Sequence, residues 1–189
     1  MLQRCLITCA LITTATAASA QELELTLNDD LAEGVIAQRS ASDNGQSSRY
    51  GGGLLFNDAS DLVGSLFLHV NNEIEGQWQP WTLGVGGKLY GADLDRSSET
   101  VAALALGGTA RVGIPTEIPL AVTGSAHISP NITTSGDADR VTELQLRLEA
   151  EVVRGADVYL GYRYLQFDMD NARDEEVDDS LHAGLRLQF

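Results

Sequence analysis

Hydrophobic and polar residues alternate strictly in three long segments near the C-terminus. In the segment 141–153, Leu144, Leu146 and Leu148 fall on one face, and charged or polar residues stand between them. The segments 156–168 and 179–189 repeat this period of two, which is typical of half-buried strands. Weaker alternation predicts five further strands, at 48–57, 61–71, 81–92, 100–114 and 119–129. A hairpin over 22–40 would raise the strand count from eight to ten.

Strand length and the pattern of connections favour a membrane barrel over a soluble sandwich. The predicted strands exceed the usual length of about five or six residues and are long enough to cross a bilayer at a tilt. Short links at 115–119 and 154–156 alternate with longer polar links, which is the habit of outer-membrane barrels. Aromatic residues near strand ends predict two interfacial girdles, formed by Trp78, Trp81, Tyr90, Tyr164, Phe167 and Phe189. The predicted fold is an all-β, closed antiparallel transmembrane β-barrel of 8 to 10 strands.

Residues 1–20 differ from the rest of the chain and predict an export signal. They contain one base, Arg4, then an uncharged, largely apolar stretch that ends in the small residues Ala18-Ser19-Ala20. This is the pattern of a signal peptide cleaved before Gln21, which leaves 21–189 as the barrel domain. Both cysteines lie in the leader, so the mature chain has neither a disulfide framework nor a thiolate metal site. The net charge of −15 gives no reason to expect a nucleic-acid partner.

The chain stops within a strand, on an aromatic residue. The last strand presents His182, Gly184, Leu187 and Phe189, and this spacing looks like the C-terminal signal that outer-membrane barrels present to their assembly machinery. A last strand that pairs with the first would leave no open edge. We therefore expect a bacterial outer-membrane location, with the barrel-assembly machinery, outer-membrane lipid and lipopolysaccharide as partners, and a monomer by default.

Four segments of the sequence resemble those of one family of outer-membrane barrels. The segments 86–93 (GGKLYGAD), 101–113 (VAALALGGTARVG), 161–170 (GYRYLQFDMD) and 182–189 (HAGLRLQF) resemble the YfaZ family of small outer-membrane proteins, often called porins. The resemblance covers most of the mature chain. It implies an outer-membrane barrel and carries no catalytic residues over to this sequence. Because fold does not fix activity, the label of porin remains an expectation.

The polar face of the last three strands supplies candidate residues for the lumen. By alternation, the inward-facing charged and titratable residues are Arg147, Arg163, Arg186, Glu143, Glu149, Glu151 and His182. Two interpretations stay open: an ion-pair lattice that fills a plugged structural or surface-interaction barrel, or a charged constriction that selects small solutes in a narrow porin. Neither interpretation requires a cofactor.

The sequence also contains candidate residues for hydrolysis, for a histidine metal site and for a calcium loop. His127 and Ser129, with Glu143 on the next strand, have the residue types of a serine hydrolase, but they share the inward face, away from lipid. His69, His127 and His182 lie on strands that are not neighbours, so we expect isolated histidines and no metal site. The acidic segment 168–179 lacks the residues of an EF-hand, and we read it as a solvated outer loop, with divalent-cation binding as the alternative.

Overall fold

Ten long antiparallel strands surround one interior space. A computed structural model of the protein describes residues 19–41, 45–75, 80–94, 99–136, 138–169 and 175–189. The long strands are β1 (Ser19–Leu27), β2 (Leu31–Ala41), β3 (Gln46–Asn57), β4 (Leu62–Glu75), β5 (Pro80–Leu94), β6 (Glu99–Ile114), β7 (Leu120–Ser129), β9 (Ala138–Val153), β10 (Ala156–Met169) and β11 (Glu175–Gln188). A short strand, β8 (Thr134–Gly136), follows a 3-10 turn and pairs with β6. The hairpin predicted over 22–40 is present as β1 and β2, so the larger of the two predicted strand counts is correct.

The sheet closes on itself through its first and last strands. Each long strand pairs with its neighbours in chain order, and β1 pairs with β11. At this seam Gln21 and Phe189 exchange two backbone hydrogen bonds of 2.8 and 3.0 Å. The predicted closed antiparallel barrel is therefore confirmed. Ser19, the first described residue, and Phe189 lie at one end of the barrel, called here the terminal end, and the links after β1 and β3 lie at the opposite, distal end.

The barrel is apolar outside and polar inside, the reverse of a soluble domain. On β9, Leu144, Leu146 and Leu148 are 45%, 56% and 49% exposed on the outer face, whereas Glu143 and Glu149 are buried in the interior. The facing predicted for this strand is correct. Leucine, valine and isoleucine side chains cover the outer face of the other strands in the same way. This distribution is the one that lipid on the outside and a polar lumen require.

The interior changes character at the distal end. Here inward-facing apolar side chains from eight strands form one cluster, called here the apolar layer: Leu31, Leu55, Val63, Tyr90, Ala92, Val101, Ala103, Ala105, Ala138, Val141, Leu165, Phe167, Met169 and Val177. Tyr90 on β5 and Phe167 on β10 meet edge to face, with ring centroids 6.3 Å apart. Because these two strands lie on nearly opposite walls, the contact spans the lumen. The apolar layer thus crosses the barrel.

Two of the predicted girdle residues belong to this layer, so that part of the prediction is wrong. Tyr90 is 2% exposed and Phe167 is fully buried, because each shares the inward face of its strand with a charged residue two or four positions away. Trp81 and Phe189 are 44% and 72% exposed, as interfacial residues would be. Trp78 lies outside the described residues.

The strands also run further than the polar composition of the distal links suggests. β10 continues to Met169 and β11 begins at Glu175, so most of the predicted loop 168–179 is strand. Both strands extend because Met169 and Val177 point into the apolar layer and gain burial there. Residues 170–174 lie outside the described residues. Within the described part of the chain, no helix is long and apolar enough to cross a membrane.

Candidate functional site

Charged side chains fill the barrel between the apolar layer and the terminal end. Of the lumen residues predicted from sequence, Glu143, Glu149, Arg163, His182 and Arg186 are buried and face inward. The Arg147 side chain is 13% exposed inside the barrel. Glu151 shares this face but is half-buried near the 154–155 turn, where its carboxylate accepts a 3.4 Å hydrogen bond from the backbone N–H of Gly155. Glu151 thus lies at the rim, and the others lie in the lumen.

Arg163 lies directly beneath the apolar layer and joins three strands. Its Nη1 donates a 2.5 Å hydrogen bond to Glu33 on β2, and its Nε donates a 2.6 Å hydrogen bond to Asp178 on β11. Arg163 itself is 1% exposed, and both carboxylates are buried. A buried guanidinium is tolerated only when it is paired, and the fork of Arg163 has two carboxylates within reach.

Arg186 organises the terminal end of the lumen. Its guanidinium donates to Asp157 at 3.0 and 2.8 Å and to Glu149 at 3.2 and 2.8 Å. Glu149 also accepts a 3.2 Å hydrogen bond from Arg111 on β6. Four strands are therefore tied together by one network of ion pairs.

A third network crosses from β9 to the first strands. Arg147 pairs with Glu24 on β1, and Arg49 on β3 donates to Glu24 at 3.2 Å and to Glu22 at 2.5 Å. Sequence reasoning missed both glutamates, although the alternation of Glu22 and Glu24 with Leu23 in β1 is the same signal that located Arg147. Glu24 neutralises the predicted lumen base Arg147, and both glutamates pair with Arg49, which the sequence analysis did not single out.

His69 and His127 are not isolated, as the sequence suggested, but meet inside the barrel. Their Nε2 atoms are 2.8 Å apart, and both residues are buried. The strands β4 and β7 that carry them are separated by β5 and β6, which place Gly86 and Gly107 in register between the two histidines. A Cβ at Gly107 would lie 2.7 Å from Cδ2 of His127, and one at Gly86 would overlap the His69 ring. The two glycines leave the space through which the rings reach each other.

Glu143 receives several donors beside this pair. Nζ of Lys88 lies 2.8 and 3.0 Å from the two carboxylate oxygens, and the Tyr90 hydroxyl donates at 2.6 Å. Oε2 of Glu143 also lies 3.5 Å from Nδ1 of His127. This carboxylate thus connects the histidine pair to the lower side of the apolar layer.

Two residues of the predicted assembly signal have packing roles in the lumen. Gly184 on β11 lies under the ring of Tyr159, whose hydroxyl reaches across β11 to Thr26 on β1 at 2.7 Å. His182 packs over Gly161 on β10 in the same manner. Of the other two signal residues, Leu187 is half-buried and Phe189 is exposed.

A cavity of about 210 Å³ lies among these networks. Its lining includes seven Lys or Arg side chains, five glutamates and the histidine pair. Arg39 and Arg111, with side chains 42% and 45% exposed, mark its mouth at the terminal end. The apolar layer lies at its other end, so the cavity is a polar pocket open to one side.

His127 and Ser129, the hydrolase candidates, are arranged differently from the members of a catalytic triad. Nε2 of His127, which would face the nucleophile, points to His69, and the Ser129 hydroxyl is hydrogen-bonded to the hydroxyls of Thr133 and Thr134. A triad needs serine and histidine joined to each other. Within the described residues, no group of three or more His, Asp or Glu side chains is arranged to hold a metal ion.

Residues 3–189 of the chain match the profile of a protein family described as "YfaZ precursor". The chain belongs to the YfaZ family. No curated protein matches the YfaZ chain. Among solved structures, it is similar to a bacterial polysaccharide outer-membrane secretin (11% identity, TM-score 0.45), with 90% of this chain and 69% of that chain covered. It is also similar to the beta domain of the Bordetella autotransporter BrkA (14% identity, TM-score 0.41), with 90% and 98% covered.

Proposed function

We propose that this YfaZ protein is an exported barrel that spans the bacterial outer membrane and is occluded at its distal end. Its apolar outer face would contact lipid, and its terminal end would face the periplasm, where the assembly machinery reads the last strand. The acidic distal end would then lie among the phosphates of lipopolysaccharide. The apolar exterior, the charged interior and the precursor family support this placement.

Occlusion rests on one observation, the contact of Tyr90 with Phe167 across the lumen. These rings, together with Leu165 and the other side chains of the apolar layer, lie across the lumen between the charged cavity and the distal end. Hydrated ions would have to shed water to cross such a layer, which opposes conduction. A plugged barrel with a periplasm-facing pocket is therefore the function that the geometry supports best.

A narrow porin for small solutes is the second candidate. The observation in its favour is the polar cavity, which already extends from the mouth at Arg39 and Arg111 to the lower side of the apolar layer. Conduction would require only the apolar layer to open. The two candidates therefore differ in the state of one interior layer.

Planar-bilayer recording of the purified barrel separates them. We expect no conductance steps for the wild type, and steps for Leu165→Ala combined with Phe167→Ala, which removes side chains from the apolar layer. Leu160→Ala with Leu181→Ala, on the outer face of β10 and β11, is the matched control and should stay silent. Stable conductance of the wild type would refute occlusion and establish the porin.

A further inference from the structure

The contact between His69 and His127 is a hydrogen bond between two imidazoles. Their ring centroids are 5.0 Å apart, close to the largest separation that a 2.8 Å Nε2–Nε2 distance permits, so the rings meet head-on. Head-on rings direct both Nε2 lone-pair axes at each other rather than at a shared third position. This geometry suits a proton between the nitrogens and does not suit a metal ion, which would need the two axes to converge.

The surroundings fix the direction of that hydrogen bond. Nδ1 of His127 faces the carboxylate of Glu143 at 3.5 Å and makes no hydrogen bond within the described residues. A neutral Nδ1 without hydrogen would set its lone pair against the carboxylate, so Nδ1 of His127 carries the proton. His127 Nε2 then accepts from Nε2–H of His69. His69 is thus the donor of this hydrogen bond, and the Nδ1–H of His127 faces the Glu143 carboxylate at 3.5 Å.

While its two rings stay hydrogen-bonded to each other, the pair can hold one extra proton and no more. With one extra proton, a single hydrogen still lies between the two Nε2 atoms, and the charge is next to Glu143. A second proton places a hydrogen on each Nε2, and two N–H groups cannot face each other at 2.8 Å. The link between the rings must then break.

The charged groups around the pair offer no compensation for a second charge. Arg49 on β3 lies in register with His69, and Lys88 on β5 binds Glu143, with the Tyr90 hydroxyl also on that carboxylate. β6 contributes Gly107 at this level. Across the cavity, Arg147 and Glu24 pair with each other. His69 therefore has cations as its nearest charged neighbours.

We propose that His69 and His127 form a proton-responsive contact in the barrel wall. While the pair holds at most one extra proton, the rings lie linked over Gly86 and Gly107. A second proton separates them. At least one ring then moves into the cavity, because the backbone at Gly86 and Gly107 closes the opposite side. The cavity then becomes smaller and more cationic. This proposal is independent of whether the lumen conducts.

Nuclear magnetic resonance of the histidine-labelled barrel in lipid nanodiscs tests the contact without any mutation. We expect a scalar coupling between the two Nε2 atoms at about pH 8 that is lost only in acid, below the ordinary imidazole range, because burial and the neighbouring cations oppose the second charge. The amides of Gly86 and Gly107 should shift in the same step, and the amide of Gly91, on the outer face of β5, should not. Absence of the coupling at every pH, or its persistence down to the pH at which the barrel unfolds, would overturn the proposal.

His69→Gln provides the second measurement. In His69→Gln the pH-dependent shift of the Gly86 and Gly107 amides should be lost, because no second imidazole faces His127. His182→Gln is the control, since His182 packs over Gly161, away from the pair, and should leave that shift unchanged. A shift that persists in His69→Gln would contradict the proposal.

Discussion

Gly184 is a residue at which a single added methyl group should be costly. A Cβ at this position would overlap the ring of Tyr159 and lie 2.5 Å from the backbone oxygen of Leu25. We therefore expect Gly184→Ala to push the tyrosine away from the wall of the barrel. The hydrogen bond between the Tyr159 hydroxyl and Thr26, which bridges the seam between β11 and β1, would be lost with it.

The expected magnitude follows from two contributions. Overpacking of a filled interior costs about 1–3 kcal/mol, and loss of a buried hydrogen bond costs about 0.5–1.5 kcal/mol. The lower chain entropy of alanine in the unfolded state returns less than about 1 kcal/mol. Gly184→Ala should therefore lower the free energy of unfolding by about 1–4 kcal/mol. Gly91→Ala, on the outer face with nothing within 4 Å of the added Cβ, should change it by less than about 1 kcal/mol.

Reversible urea unfolding in phospholipid vesicles measures both variants. Tyr159→Ala combined with Gly184→Ala should cost less than the sum of the single changes, because removal of the ring makes room for the methyl group. If Gly184→Ala unfolds at the same urea concentration as Gly91→Ala, or if the two costs add, then Tyr159 does not lie over Gly184.

Three further predictions concern facing, targeting and the ion pairs. Leu146→Arg, which exposes a charge to mid-bilayer, should cost about 2–4 kcal/mol in the same unfolding assay, and Gln145→Arg much less; equal costs would contradict the facing of β9. Deletion of Phe189 should leave the protein degraded or aggregated in the periplasm when cell fractions are compared, and a normal outer-membrane yield would argue against its part in the assembly signal. Arg163→Met leaves two buried carboxylates unpaired and should cost about 3–5 kcal/mol, whereas Arg39→Met at the mouth should cost less than about 1 kcal/mol, and a similar loss for both would show that Arg163 is not the buried centre of its network.

The alternation of residues predicted the barrel because a period of two depends only on local chain geometry. It separated Leu146 from Arg147 correctly and placed the charged candidates inside. It could also have placed Tyr90 and Phe167 inside, had their parity been preferred to their position near strand ends. Local pattern outranks composition where one face of a strand is buried.

Contacts across the lumen could not be predicted from the sequence, for a different reason. Whether His69 meets His127 depends on the stagger between strands that are three apart, and alternation does not set that stagger. The same holds for the partners of Arg163, which come from β2 and β11. The cavity and its closure at the apolar layer follow from these long-range registers, so both required the structure.

The interior ion pairs also guard the alignment of the strands during assembly. A slip of one residue along β9 would turn Arg147 and Glu149 outward into lipid and would bring leucines into the polar lumen. An arginine exposed at mid-bilayer costs about 2–4 kcal/mol, and Glu24 would lose one of the two cations that pair with it. The ion pairs of Arg147 and Glu149 join β9 to β1, β6 and β11, which are not its neighbours, so an error in one strand would penalise several others. The charged lumen thus penalises misaligned closures of the barrel energetically.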